Sequence, residues 1–306
     1  MKKTKKTVQR LLDIYEAKGV HFGIRDNISR LPGNRFRLEV KVLSETKIAD
    51  IQRHANDVKH ALKLDFMEVV EDGKFVHIII SKDLDKDEYL LKNILNNPAY
   101  IEMQKNMNLA IPIGVDSQGI PVAIDLADSR FPHICISGTS GSGKSSCLKS
   151  MLLTLSSYSP RSVNLIIGDK ANDLSQFSVL PHLSYPLVED FDTLLRVLLL
   201  LNDEMNRRLP LKNTSQMEQL PSILVLIDEF ISFMDEAAEK DSLNLATDTL
   251  QQLLRRGRHA KIHLILVAHD PTKKNMRINT SDLPVKMVFH VSNVHNSLIA
   301  LGEGGC

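Results

Sequence analysis

The sequence has few cysteines, no long apolar run and almost no excess of charge of either sign. Its three cysteines, Cys135, Cys147 and Cys306, lack the spacing of a metal or redox motif, which indicates structural thiols in a reducing compartment. No apolar run approaches the ~20 residues needed to span a bilayer, so we expect a cytoplasmic chain that a partner could recruit to a membrane. The basic start "MKKTKKTVQR" precedes no apolar segment and is therefore no secretory signal. The formal net charge of +1 does not indicate a nucleic-acid partner, although a basic groove can still exist locally.

The hydrophobic pattern divides the 306 residues into three predicted parts. Residues 1–30 form a basic segment, whose first residues we expect to be solvated and frayed. Residues 31–110 contain strand, helix and hairpin patterns such as "FRLEVKV", which predict a small α+β subdomain. Residues 111–306 alternate apolar strands with helices, and this alternation predicts an α/β fold with a mostly parallel sheet.

The most informative motif lies in "HICISGTSGSGKSSCLKSMLLTL", where a loop of glycines and serines joins an apolar run to a helical pattern. The loop fits G-x-x-x-x-G-K-[ST] at every fixed position. Glycines let the backbone approach phosphate oxygens, and the amides and dipole of the following helix favour an anion. A flexible linker is the alternative, and the flanking strand and helix patterns argue against it. The predicted nucleotide-binding residues are Gly138, Thr139, Ser140, Gly141, Ser142, Gly143, Lys144, Ser145 and Ser146.

Two carboxylates at the end of the apolar run "ILVLIDEF" predict the second half of an ATP site. Lys144 would reach the β- and γ-phosphates, and Ser145 and Asp228 would hold Mg²⁺. Glu229, one residue further on, would orient or deprotonate the attacking water. Acids also decorate ordinary helix N-termini. The phosphate loop about 80 residues upstream makes that alternative the weaker one.

Charged residues flank the apolar run "IHLILVAH" on both sides. His269 ends the run, at the position expected of a γ-phosphate sensor. Of the arginines before it, Arg258 could reach the nucleotide of a neighbouring subunit and stabilise transition-state charge. A basic helix end explains these arginines equally well.

Together these stretches resemble the FtsK/SpoIIIE family of DNA translocases over roughly residues 30–306. The matching segments are "FPHICISGTSGSGKS", "LSQFSVLPHL", "ILVLIDEF", "GRHAKIHLILVAHDP", "FHVSN" and "LGEGG". The resemblance implies a small motor subdomain before a RecA-like P-loop NTPase subdomain. It also implies a hexameric ring that threads double-stranded DNA and hydrolyses ATP, with Arg258 as a finger acting in trans.

The chain departs from the family pattern at three places. His269 stands where the family commonly has a glutamine, and Asp270 where it commonly has an arginine. Because the charge of a histidine depends on pH, the coupling through the sensor position is in question. Relatives usually continue into another strand after the position of "LGEGGC", so we expect a chain shortened at its C-terminus.

Three hypotheses for function follow from these residues. The first is an ATP-driven motor that translocates double-stranded DNA in DNA transfer or segregation, with a mobile-element origin favoured. The second is the ATPase of a protein-secretion or conjugative coupling apparatus, and the third is a nucleotide-binding adaptor with weak turnover. For the first, Lys273, Lys274 and Arg277 are the candidate contacts to DNA phosphates, although a solvated surface loop explains them equally well.

Overall fold

The computed structural model describes residues 2–31, 33–43, 46–72, 75–84, 89–116, 118–239, 242–269 and 272–291. The chain folds into two compact units. Unit 1 comprises Met1–Ile101 and Gly114–Val122, and unit 2 comprises Glu102–Ile113 and Ala123–Cys306. Among the described residues, none of the helices has the length and apolar character needed to cross a membrane.

Unit 1 is built on a four-stranded antiparallel sheet in the order β1-β2-β4-β3. The elements are α1 (Lys2–Ala17), β1 (Phe22–Leu31), β2 (Arg35–Val42), α2 (Ile48–Leu62), β3 (Phe66–Asp72), β4 (Phe75–Ser81) and α3 (Leu91–Leu95). Alternation along β2 directs Leu38 and Val40 into a core that also contains Ile51 and Val58 of α2. This arrangement confirms the predicted α+β architecture.

The expectation of a frayed N-terminus is wrong, because the segment from Lys2 to Ala17 is helix α1. Val8, Leu11 and Tyr15 recur at helical spacing and are buried in the core of unit 1. The Tyr15 hydroxyl donates a hydrogen bond of 2.8 Å to the Ile51 carbonyl oxygen. The cluster of lysines dominates the local composition and conceals this short apolar stripe.

Unit 2 contains a five-stranded sheet in which every neighbouring pair of strands is parallel. The strands lie in the order β11 (Val285–Val288), β7 (Ile134–Ser137), β10 (Ile262–Ala268), β9 (Ser222–Ile227) and β8 (Val163–Gly168). Its central strands are almost entirely buried, since helices cover both faces. In β9, Val225 and Ile227 belong to one hydrophobic core, whereas Leu224 and Leu226 belong to the other. The predicted parallel α/β fold is confirmed.

In the described part of unit 2, two α-helices follow Asp228 and Glu229, one on each side of residues 240–241. The elements are β7 (Ile134–Ser137), α5 (Lys144–Leu155), β8 (Val163–Gly168), α6 (Phe191–Arg208), α7 (Ser215–Gln219), β9 (Ser222–Ile227), α8 (Phe230–Glu239), α9 (Leu243–Arg256), β10 (Ile262–Ala268), α10 (Lys273–Met276) and β11 (Val285–Val288). Along the chain, these two sets are separated by α4 (Pro98–Lys105), β5 (Ala110–Val115) and β6 (Pro121–Asp125), each divided between the units.

The order of the parallel strands decides which loops meet. The carboxyl ends of all five strands lie at one edge of the sheet, where ligands of such sheets commonly bind. β10 lies between β7, which leads into the glycine-rich loop, and β9, which ends in the two carboxylates. The residue that follows β10 is therefore held between them.

Candidate active site

The glycine-rich loop runs from the end of β7 to the start of α5, as the motif predicts. Gly138 has φ +150°, and a Cβ there would lie 2.7 Å from the Cβ of Phe289 and 2.8 Å from the Ser142 hydroxyl oxygen. Gly141 and Gly143 have φ of +74° and +107°, which side chains of L-residues rarely tolerate. The structure therefore excludes a side chain at Gly138 by contact and disfavours one at the other two by backbone conformation.

Lys144 is the first residue of α5, and its side chain is buried beneath the loop. Its ammonium nitrogen lies 2.8 Å from the Gly138 carbonyl oxygen, 2.9 Å from that of Thr139 and 3.2 Å from Nδ1 of His269. Burial lowers the pKa of Lys144, and the nearby carboxylates of Asp228 and Glu229 partly oppose that shift. Lys144 is thus held in place by two carbonyl oxygens of the glycine-rich loop and by His269.

The bond to Lys144 fixes the tautomer of His269. An ammonium group only donates, so Nδ1 of His269 accepts and Nε2 carries the hydrogen. Nε2 lies 4.0 Å from Oε1 of Glu229. Neutral imidazole presents one acceptor and one donor, the same pair of functions that a glutamine side chain offers. The histidine thus lies between Lys144, at 3.2 Å from its ammonium nitrogen, and the Glu229 carboxylate, at 4.0 Å.

The two carboxylates occupy different environments, although they are adjacent in sequence. Asp228 follows β9 and is buried. Its pKa is raised first by that burial and further by Glu229, Asp169 and Asp173, while a 2.9 Å bond from the Glu229 amide opposes the rise. Glu229 has φ +48°, an uncommon conformation for a residue with a side chain, and its side chain is about one-third exposed. Asp228 is therefore the more buried of the two carboxylates, and Glu229 the more accessible.

A single cavity of about 260 Å³ brings most of the predicted residues together. Gly138, Thr139 and Ser142 shape the loop without lining this cavity. The lining residues are Ser140, Gly141, Gly143, Lys144, Ser145, Ser146, Asp173, Asp228, Glu229, Val267, Ala268 and His269.

Asp173 lines the cavity, and sequence reasoning missed it. The buried Asp169 carboxylate accepts bonds of 3.0 Å from the Asp173 amide and 2.7 Å from the Leu174 amide. These bonds set the turn after β8 that places Asp173 at the site. A signal was present, since the apolar run of β8 ends in Asp169 as that of β9 ends in Asp228.

The donor set fits a magnesium ion shared with phosphate. Among the described residues, no group of three His, Cys, Asp or Glu side chains could hold a metal by itself. Ser145 and Asp228 line the cavity, and Mg²⁺ typically takes one or two such ligands, keeping waters and phosphate oxygens as the others. The Ser142 hydroxyl is buried and finds no hydrogen-bond partner in the described part of the chain. Ser145 and Asp228 are therefore the residues that would hold a magnesium ion together with phosphate oxygens.

The remaining predicted residues lie outside the cavity. Arg258 precedes β10, and its Nη1 donates a 3.0 Å bond to the Ser129 carbonyl oxygen. Arg277 is paired with α8, at 2.8 Å from Oδ1 of Asp235. The side chains of Lys273 and Lys274 lie outside the described residues, as does Asp270.

The fold and the site together define a P-loop ATPase domain of the α/β class. Comparison with known proteins identifies it further, because the model of the FtsK/SpoIIIE family matches residues 91–214. The chain therefore contains an FtsK/SpoIIIE family domain.

Curated relatives extend this similarity beyond the matched segment. The DNA translocase FtsK of Pseudomonas aeruginosa is 28% identical over 342 residues, which cover 97% of this chain and 41% of that protein. The FtsK of Leptospira interrogans is 30% identical over 242 residues, covering 72% of this chain and 25% of that protein. The chain spans less than half of the length of these relatives.

Solved structures share the fold at low sequence identity. The pCW3 conjugation coupling protein TcpA, in its monomer form with ATPγS, has a TM-score of 0.58 at 18% identity, with 98% of this chain and 87% of that chain covered. The cytoplasmic domain of the Thermomonospora curvata type VII secretion ATPase EccC has a TM-score of 0.50 at 22% identity, with 64% and 25% covered.

Proposed function

We propose that this chain is the motor of an ATP-hydrolysing translocase for double-stranded DNA. The observation that carries ATP hydrolysis is the placement of Lys144, Asp228 and Glu229 around one cavity. A cavity that only bound nucleotide would need the lysine and the loop but no carboxylate facing a reacting water. The DNA substrate is supported by the relatives that are named DNA translocases and align with nearly the whole chain.

Five residues that line the cavity carry the chemistry in this proposal. Lys144 and the amides at the start of α5 bind the phosphates. Ser145 and Asp228 would hold Mg²⁺, which would supply positive charge beside the phosphate oxygens. Glu229 orients the attacking water and accepts its proton. His269 senses bound phosphate, because a phosphate that binds Lys144 competes with Nδ1 of His269 for the lysine ammonium group.

Assembly into a ring, with six subunits as expected from the family, gives Arg258 its role. Its guanidinium lies before β10, at the edge of the sheet opposite the cavity, so it does not serve its own nucleotide. A neighbouring subunit could receive it as a finger in trans. Lys273, Lys274 and Arg277 follow β10 and remain the proposed contacts to DNA phosphates.

A conjugative coupling or secretion ATPase is the second candidate. The specific observation in its favour is the fold of TcpA, which covers 98% of this chain. Such a machine uses the same cavity, so the two candidates differ in the transported substrate rather than in the chemistry.

The test is the ATPase rate with and without double-stranded DNA. We expect hydrolysis that DNA accelerates, no productive turnover in Lys144→Ala, and ATP binding without hydrolysis in Glu229→Gln. Turnover of Glu229→Gln at the wild-type rate would refute the assignment of the water-activating residue. An ATPase rate that double-stranded DNA of every length leaves unchanged would refute the DNA substrate and favour a protein-secretion ATPase.

A further inference from the structure

The chain continues past the end of β11 and touches the phosphate loop. The Phe289 amide donates a 2.7 Å bond to the Ser137 carbonyl oxygen, and the Thr139 amide donates a 2.9 Å bond to that of His290. The Thr139 hydroxyl lies 3.0 Å from the same His290 oxygen. The parallel ladder between β7 and β11 thus extends into the first two residues of the loop.

The Phe289 side chain meets the loop at both of its ends. Its Cβ occupies the space in which a side chain on Gly138 would lie, at 2.7 Å. Its ring carbons lie 3.5 and 3.6 Å from the position of a Cβ on Gly143. The aromatic ring therefore spans the turn from the first glycine of the motif to the residue before Lys144.

The opposite side of the same two loop residues faces Lys144. The carbonyl oxygens of Gly138 and Thr139 hold the lysine ammonium at 2.8 and 2.9 Å. The loop is thus clamped between the lysine on one side and Phe289 and His290 on the other. When phosphate draws the lysine away, the contacts from the segment after β11 are those that remain.

We propose that Phe289, together with the His290 carbonyl oxygen, positions the phosphate loop for the polyphosphate chain of the nucleotide. This inference rests on the proposed ATPase function and names residues outside the P-loop motif. Holding the loop in its binding conformation removes an ordering cost that would otherwise weaken binding. Phe289 is accordingly a positioning residue that acts on polyphosphate affinity.

The experiment compares Phe289→Ala with the wild-type chain by calorimetric binding of two probes, Mg-ATP and Mg-tripolyphosphate. We expect the Kd of both probes to rise by roughly three- to tenfold, since the loop must then be ordered at the cost of binding free energy. The KM for ATP should rise in parallel, while kcat at saturating ATP changes by less than about twofold. Phe289→Ala keeps the Cβ beside Gly138 but removes the ring beside Gly143, whereas Phe289→Leu puts a branched apolar side chain in place of the ring and should recover most of the affinity.

Met287→Ala is the matched control. Met287 lies two residues earlier, on β11, and packs on the same hydrophobic core as Phe289, but the contacts to Gly138 and Gly143 come from Phe289. We expect its Kd values to stay within about twofold of wild type.

Three outcomes would overturn the inference: unchanged binding in Phe289→Ala, an equal loss in Met287→Ala, or a loss for Mg-ATP with none for Mg-tripolyphosphate. The last would make Phe289 a nucleoside contact. A wild-type chain that binds neither probe would instead remove the proposed ATPase function itself. Far-UV circular dichroism of each variant verifies that it is folded.

Discussion

Two buried histidines should make the stability of unit 2 depend steeply on pH between about 7 and 5. His133 precedes β7 and His263 lies in β10, at the edge of the sheet away from the cavity. Burial lowers their pKa values to about 3 and about 4, from the usual 6.5. The His133 Nδ1 atom accepts a 3.0 Å bond from the Leu264 amide, and His263 Nδ1 donates to the Pro132 carbonyl oxygen at 3.1 Å. Both rings are therefore neutral in the folded chain.

The direction in which stability changes with pH follows from whether the folded or the unfolded chain binds more protons. As pH falls through 6.5, the unfolded chain takes up a proton on each histidine, whereas the folded chain takes none until about pH 4 or 3. Stability is therefore lost on acidification across that window. At pH 5 the loss is about 2 kcal/mol for each histidine, or about 4 kcal/mol together. Since domains are typically stable by about 5–15 kcal/mol, a change of this size is readily measured.

The assay is urea unfolding followed by far-UV circular dichroism at several pH values, because the chain has no tryptophan to report by fluorescence. The reference is a double variant, His133→Asn and His263→Asn, whose amides reproduce the Nδ1 acceptor and donor but do not titrate. The Glu204 carboxylate, with a pKa lowered to about 2 by Arg207 and Arg208, contributes chiefly below pH 4.5 and leaves this window clear. Equal losses of stability in the wild type and the double variant between about pH 7 and 5 would refute the reasoning.

Three predictions test the proposed function. His269→Gln keeps one acceptor and one donor and should retain turnover, whereas His269→Ala should lower kcat about tenfold or more. Equal kcat values for these two variants in a steady-state ATPase assay would exclude a role of His269 in hydrolysis. Arg258→Ala should leave ATP affinity of the isolated subunit unchanged and lower turnover in the assembled state, and turnover independent of protein concentration in a monomeric sample would contradict a finger in trans. Asp235→Asn removes the negative charge paired with Arg277, whose guanidinium keeps a 3.2 Å bond to the Met234 carbonyl oxygen, and should strengthen DNA binding. Replacing Lys273, Lys274 and Arg277 by alanine should weaken DNA binding and reduce the salt slope by up to about three units. Filter binding across a salt series measures both, and an unchanged slope in the triple variant would remove these cations from the interface.

The sequence alone determined the class of fold and most of the cavity. Strict spacing in the phosphate loop, and an apolar run that ends in Asp228 and Glu229, are local patterns with a direct physical meaning. Alternation of apolar strands with helices was enough to predict the parallel sheet. The N-terminal helix was missed because Val8, Leu11 and Tyr15 form a thin stripe among lysines, and only packing within unit 1 shows that it is buried.

Only the tertiary structure decided the contacts between strands that are distant in sequence. Strand order places His269 between Lys144 and Glu229, and neighbouring strands bring Asp173 to the same cavity. The contact of Phe289 with the phosphate loop joins segments that lie far apart along the chain, and it exists because β11 pairs with β7 at the edge of the sheet. Hydrophobic periodicity records which face of each strand is buried but carries no information about which strand is its neighbour, so these partners appear only in the folded chain.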